Sequence, residues 1–517
     1  MEKDKNHSLH KNMKKSKNPI NHRKLAPELK GTASTKPIAG ARNGLFSCHV
    51  SLSLRLLFFL MSYCSPGVIR AQVLDSVNTG PLPDAAEEFW PRASGGRDTL
   101  RWYGKIKHMG INHGRGSVGI GVSLREGYEF FDNYLWGIGP QDDNGFHQHR
   151  GLVTADVRWN RTLRVFSEVQ SGFISGRNGG ARPVQDLNKL VVNQLFAEIT
   201  VFKAAYGIGS LRVGKQALNY GVGSLLDVRD INVRRTFLGY KLVLKGTDWR
   251  LDAFYMNPLD IRDGFFDDRV NRRERIAGLW HTIFSPGKWK PLRRLDLYYL
   301  YFSSDFSQYN KVAGEEKRST VGFLSELHGG NWTNFLGADL QFGKLADQRI
   351  RSWKLMGTVN YSFGHVPLKP TLGGQMAISS GDKSPDDNQM QTFNPIYPKG
   401  LYYGFVDNAG SVNLIIFHPK CDFRISARTT LSLNYYRFWR ARASDGLYST
   451  PGRFLLAPNN PSRSVGWMGD IVAGHAINSH LSFSAVTSYY KRGAFLRATP
   501  STPGDIFYFG IRSALSF

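Results

Sequence analysis

Cysteine is almost missing from this 517-residue chain: Cys48, Cys64 and Cys421 are the three. Also missing is any apolar run of the roughly 20 residues that a membrane-crossing helix needs. Neither a Walker A sequence nor G-x-S-x-G occurs. The chain therefore carries neither a P-loop nor a nucleophile elbow. "GRGSVG" does place Gly114, Gly116 and Gly119 as G-x-G-x-x-G. A strand is expected after it rather than a helix, so no helix N-terminus awaits a phosphate.

What the chain has in quantity is glycine (54), tyrosine (22) and phenylalanine (33). They fall in segments of about ten residues that alternate apolar and polar, the weak signature of transmembrane β-strands.

The first 71 residues read differently. Residues 1–44 are polar, basic and without period. In "SLSLRLLFFLMSYCSPGVIRAQ", Arg55 precedes the apolar stretch Leu56–Met61 and Pro66 follows it. This predicts a secretory signal cleaved near Ala71–Gln72. A lipoprotein anchor at Cys64 is disfavoured by the bulky Tyr63 before it. A start codon placed too early explains the long leader better than a functional basic tail. The three domains expected are a leader and signal over 1–71, a periplasmic extension over 72–99 and a barrel over 100–517. The full chain has a formal net charge of +26. Its first 71 residues hold 13 Lys/Arg and 3 Asp/Glu, so 54 bases and 38 acids remain, a net of +16. Cys421 is then alone, no internal disulfide can form, and an exported protein must rest on its sheet and membrane.

From Gly116 onward the period-two pattern predicts eighteen strands, the first over 116–128 and the last over 506–517. The fold class is all-β, a transmembrane antiparallel up-and-down barrel. "WNRT", "LKGTDW", "LHGGNW", "SFGHVP", "RISART" and "INSHLS" are tight turns at one end. Long connections (129–148, 173–189, 218–231, 258–271, 304–315, 381–411, 441–464 and 492–505) lie at the other. A short 345–349 loop and a long 285–293 turn are the exceptions. Outer-membrane barrels show this asymmetry, with turns in the periplasm and loops outside. The 381–411 loop is expected to fold over the outer mouth. In 149–160, Val153, Ala155, Val157 and Trp159 share one face, and Thr154, Asp156 and Arg158 the other. Trp159, Trp249, Trp353, Tyr361, Trp467 and Tyr489 suit aromatic girdles. The closing "DIFYFGIRSALSF" alternates to its last aromatic residue and resembles the assembly signal of bacterial outer-membrane proteins.

By alternation, Arg125, Arg158, Arg164, Arg212, Arg235, Lys241, Arg250, Arg294 and Arg512 point inward, with the carboxylates Glu168, Asp252 and Asp296. Many of these arginines simply bridge to carboxylates. As a set, excess positive charge on a low-dielectric wall concentrates anions, and the guanidinium fork suits carboxylates. Charges that point into a lumen do not suit nucleic acid. No cofactor or metal is expected. His147 and His149, with Asp142 and Asp143 near them, read as solvated. "DKSPDDN" (382–388) lacks the glycine and closing Glu of an EF-hand.

"LRVGKQALNYGVGSLL" (211–226) and "RTFLGYKL" (235–242) resemble R-V-G-R-Q-x-L-x-Y-G and R-x-F-D-G-x-R of the alginate-export outer-membrane porins. "LDAFYMNPLD" and "ISSGDKSPDDNQMQTFNPIYPKGLYYG" are similar to that family too. The resemblance runs over most of the chain after residue 71. It implies a monomeric eighteen-stranded barrel with an electropositive constriction, and puts Arg212, Gln216, Arg235 and Lys241 at motif positions. Lys215, Ala217, Leu238 and Lys241 depart from the pattern, so the pairing network differs. The expected function is a passive outer-membrane channel, not an enzyme, for uronate-containing polysaccharide or oligosaccharide. Its partners would be membrane lipid, an anionic solute and periplasmic export proteins. The alternatives are a porin for small organic acids or other nutrients, a barrel enzyme and a surface-binding protein. The strand histidines His281 and His418 lack the serine partner that the enzyme would need.

Overall fold

Period-two alternation puts two chemically different faces on a strand. In a membrane both faces are satisfied, and every backbone group is paired, only if the sheet closes. The structure is a computed structural model that describes residues 85–87, 106–107 and 109–517, apart from 142–143, 286–290, 385, 407–408 and 451. The signal, the leader, Cys48, Cys64, Asp142 and Asp143 lie outside the described residues. Eighteen strands form the wall: β1 (Gly116–Asp132), β2 (Phe146–Trp159), β3 (Leu163–Ser175), β4 (Asn188–Ala204), β5 (Gly207–Gln216), β6 (Phe237–Lys245), β7 (Trp249–Asp260), β8 (Glu274–Phe284) and β9 (Leu292–Tyr309). They continue as β10 (Val312–Gly329), β11 (Trp332–Leu345), β12 (Gln348–Ser362), β13 (Thr371–Ser379), β14 (Leu414–Arg424), β15 (Thr429–Arg440), β16 (Ser464–Ala476), β17 (Leu481–Arg492) and β18 (Ile506–Ser516). Each pairs antiparallel with its neighbour in sequence. β18 returns to β1, with Ser516 opposite Ser123 and Phe507 opposite Asp132. The closed antiparallel barrel is the expected one, and closure leaves no strand edge to aggregate.

The two faces also have the expected sign. Val153 and Tyr255 are half-exposed on the outer face, while Asp252 and Phe254 are buried on the inner one. On β18, Phe507 and Ile511 face out and Tyr508 faces in. Trp332 and Tyr361 meet edge-on at the short-turn end, their rings 4.8 Å apart. Trp467 contacts Tyr435 and Tyr489 towards the other end. Trp353 is exposed on the outer face but sits well inside β12.

Four connections differ from expectation. The predicted 304–315 loop is a hairpin turn at Asn310–Lys311, between two 18-residue strands. Past the apolar band Ser303, Ser304, Ser307 and Gln308 are polar on both faces, so the sequence period fades while pairing continues. The predicted tight turn after β12 spans 363–370. The strand predicted from residue 232 begins at Phe237, because 217–236 turns into the barrel. So does 380–413, where a lid over the mouth was expected. The two infolded segments bond to each other: Asp227 N–H donates to Tyr397 O (3.0 Å), and Tyr397 N–H to Leu225 O (2.9 Å). Leu218, Leu225, Leu226, Phe393 and Ile396 pack there against inward Phe254, Met256, Trp280 and Phe302.

Gly214, in the R-V-G stretch of β5, has φ +134°. A Cβ there would lie 2.4 Å from Leu195 O and 2.8 Å from Phe196 Cα. Gly214→Val is expected to cost about 3 kcal/mol of strain and clash. Its unfolding midpoint in detergent, followed by heat-modifiable gel migration, should fall accordingly.

Candidate functional site: a basic lumen

Inward charges gather in three places along the barrel. At the short-turn end, β5, β6 and β7 present Arg212, Lys241 and Arg250. The turn Ala85–Glu87 lies against them. Glu87 Oε1 accepts from Arg212 Nη1 (2.9 Å) and sits 3.4 Å from Lys241 Nζ, while Oε2 accepts from Arg250 Nη1 (3.0 Å). This turn falls in the span read as a periplasmic extension, yet it lies among inward side chains, drawn there by three cations. Burial would raise the Glu87 carboxyl, but Lys241, Arg212 and Arg250 hold it well below the usual carboxylate range. Wall carboxylates share the cluster. Glu198 pairs with Arg212 (2.6 Å), Asp252 with Arg250 (2.7 Å), and Asp156 with both Arg158 and Arg164 (2.8 Å each).

Midway along the strands the 217–236 segment delivers Asp230. Arg150 reaches it at 2.5 Å and Arg234 at 3.1 Å, with Arg125 at 4.0 Å. Burial opposes ionisation of Asp230, and these three arginines hold its carboxyl far below normal. Glu168 accepts from Asn193 and lies 3.4 Å from Arg234. Arg512 donates to Glu129 (2.7 Å), which also meets Arg182.

At the long-loop end the wall holds the infolded 380–413 segment. Arg318 Nη1 donates to Gln341 Oε1 (2.8 Å), Ser352 Oγ (3.0 Å) and Thr392 O (3.2 Å), and its Nε bonds Glu316. Tyr397 OH donates to Glu274 (2.7 Å). Between the infolded segments and the loops lies a cavity of about 1110 Å³. Its wall includes Arg177, Arg182, Arg229, Arg235, Arg453 and Arg512 against Glu129, Asp186, Asp260 and Glu274.

Two predicted residues change role. Gln216, expected to line the pore, is fully buried and donates to the carbonyls of Gly214 (3.4 Å) and Gly239 (3.3 Å), so it ties β5 to β6. Arg235 lies before β6, not on it. It donates to Pro398 O (3.3 Å) and stands 5.1 Å above the Tyr397 ring, so it locks one infolded segment to the other. Arg294 pairs with Asp296 (3.4 Å) and lies 4.0 Å from Glu326. His149 pairs with Glu126, and His418 stacks on Tyr436. Arg150 and Arg318 were missed although they share the predicted inward face, because each sits beside an assumed strand boundary. Arg229, Asp230 and Arg234 lie in an irregular segment, where no period could find them.

The "DKSPDDN" run contributes an anchor. Asp382 N–H donates to Asp445 Oδ2 (2.9 Å), and Asp382 Oδ1 accepts from Gln391 N–H (3.2 Å). Burial pushes the Asp382 carboxyl up to about 7; the Gln391 bond opposes the shift, and the Asp445 and Asp387 carboxylates add to it. The ordinary value is 3.8. The folded state therefore binds more protons between those two values, and this attachment weakens as pH rises through them. Single-channel traces should grow noisier as pH rises from about 4 to about 7 and change little above that. Asp382→Asn should remove that dependence.

The family model described as alginate export matches residues 117–508, nearly the whole barrel. The chain belongs to the alginate export family. No curated protein sequence matches it. Among solved structures it is similar to three outer-membrane proteins of Pseudomonas aeruginosa. OpdK with vanillate is 12% identical, with 77% of this chain and 98% of that chain covered and a TM-score of 0.51. OccK8 (OprE) is 13% identical over the same shares, also with a TM-score of 0.51. OccD3 (OpdP) is 11% identical over 80% and 93%, with a TM-score of 0.52. At such identities the likeness is one of fold. This alginate export family member is a channel of the bacterial outer membrane. Its short-turn end faces the periplasm and its long loops face outward.

Proposed function

We propose that the channel passes anionic solutes passively, with uronate-containing polysaccharide or oligosaccharide as the favoured class. The observation that carries this is the clasp at the periplasmic end. There three basic side chains on adjacent strands hold both oxygens of one carboxylate. The family description supports the uronate class. Without a nucleotide-binding motif in the sequence, flow follows a gradient or a periplasmic partner, and the unit of transport is a single barrel. The second reading, a porin for small organic acids, is favoured by the infolded segments, which leave less room for a chain of sugars. Purified protein in planar bilayers separates them. An anion-selective current blocked by alginate oligomers supports the first reading. Block by small carboxylates alone supports the second, and cation selectivity would refute both.

A further inference from the structure

One lumen carboxylate does not come from the wall. Glu87 belongs to a three-residue turn, yet it is seated as a ligand would be. Ala86 is buried between Phe166 and Phe196, and its carbonyl accepts from Arg164 Nη2 at 2.8 Å. Both Glu87 oxygens are engaged by cations from three adjacent strands, with Arg212 directly opposite Lys241 in the ladder. The wall gives Arg212 its own counter-ion, Glu198, and Arg250 its own, Asp252. Among the described residues, the carboxylate that Lys241 pairs with is Glu87. The seat is thus built with one more cation than the wall neutralises. The Glu87 side chain keeps 24% of its exposure, so water and solutes reach the contact. A solute carboxylate that takes the seat restores the pairing that Glu87 gives up, so the exchange leaves no buried cation unpaired.

We propose that Arg212, Lys241 and Arg250 form a carboxylate-recognition site at the periplasmic mouth, and that Glu87 is its internal occupant, displaced by the carboxylate of an entering solute. This rests on the reading of the lumen as an anion path and adds its regulation. A tethered carboxylate competes at an effective concentration in the millimolar range. A monovalent anion meets that competitor at full strength, whereas a polyuronate presents many carboxylates at once. The apparent affinity for solute is lowered by the fraction of channels whose seat is empty.

The test uses full-length protein in planar bilayers, with sodium glucuronate added on the periplasmic side. Glu87→Gln should bind glucuronate about tenfold more tightly than wild type, as expected if the seat is self-occupied about nine-tenths of the time. Its chloride-over-potassium permeability ratio should also rise. Glu87→Asp, which keeps the carboxylate, should stay near wild type. A synthetic peptide of residues 81–90 should restore competition in Glu87→Gln, and the same peptide with Gln at position 87 should not. Equal glucuronate affinity in wild type and Glu87→Gln would overturn the inference, as would a peptide without effect. Anion selectivity in both proteins with that equality leaves the proposed function standing. Cation selectivity in the wild type removes the function itself.

Discussion

Arg212→Glu combined with Lys241→Glu is expected to reverse the anion preference proposed above and give a cation-preferring pore. The periplasmic cluster holds six bases (Arg158, Arg164, Arg212, Lys241, Lys245 and Arg250) and four acids (Glu87, Asp156, Glu198 and Asp252). Its formal charge is therefore +2, and the double reversal makes it −2. At about 7 Å in an aqueous dielectric, one unit charge acts on a permeating ion with about 0.6 kcal/mol. Salt near 0.1 M roughly halves that. Four units then raise the anion's energy and lower the cation's by about 1.2 kcal/mol each, so the permeability ratio shifts by about 2.4 kcal/mol, roughly fiftyfold. The measurement is the reversal potential across a potassium chloride gradient. An unchanged sign and size would show that ions pass elsewhere, or that other rings set the preference. Arg212 with Lys241 is a better choice than Arg212 with Arg235. Arg235 holds Pro398 and Tyr397, so its loss would also loosen the infolded segments.

Replacing residues 383–409 by a short turn is expected to raise single-channel conductance several-fold. The stems of this segment already touch. Ser379 Oγ lies 3.3 Å from Ser411 Oγ, and Ile378 is opposite Ile415 where β13 meets β14. Two to five residues can close such a hairpin. Removal takes Phe393, Ile396, Tyr397, Tyr403 and Val406, all buried inside the barrel, out of the lumen. It also releases the 217–236 segment, which bonds to Tyr397. Arg318 and Gln341, which now bind Thr392 and Asn394, would face water. The pairings between the eighteen wall strands stay intact and the wall loses only the two-residue parallel pairing of Gln389–Met390 with Arg349–Ile350, so the shortened protein should assemble and migrate as wild type. A conductance equal to wild type would mean that the narrowest part of the path lies elsewhere, with the periplasmic cluster the first place to look.

The barrel was legible because lipid outside and polar interior inside impose one rule on every strand. Val153 and Asp156, Tyr255 and Asp252, and Ile511 and Tyr508 obey it in order, and eighteen separate segments overlap eighteen strands. The rule failed where its cause was absent. Beyond the membrane, β9 and β10 continue with polar residues on both faces, so their pairing left no mark in the sequence. The inward side of Arg212, Lys241 and Arg250 could be read from alternation, but their meeting could not. It depends on cross-strand register and on a distant turn at Glu87.

By itself, then, the order of residues determined the strand count, the sense of each face, the end with short turns and the sign of the lumen's excess charge. All of these are local, because each follows from which solvent a side chain meets two positions along. The tertiary structure alone decided that 217–236 and 380–413 fill the lumen rather than cover it. It alone showed that Asp230 gathers Arg125, Arg150 and Arg234, and that Arg235 locks loops instead of lining a strand. Those outcomes rest on contacts between distant segments, some more than 160 residues apart, such as Arg235 with Pro398 and Tyr397 with Leu225. No periodicity encodes which irregular chain will find which cation across a closed cylinder.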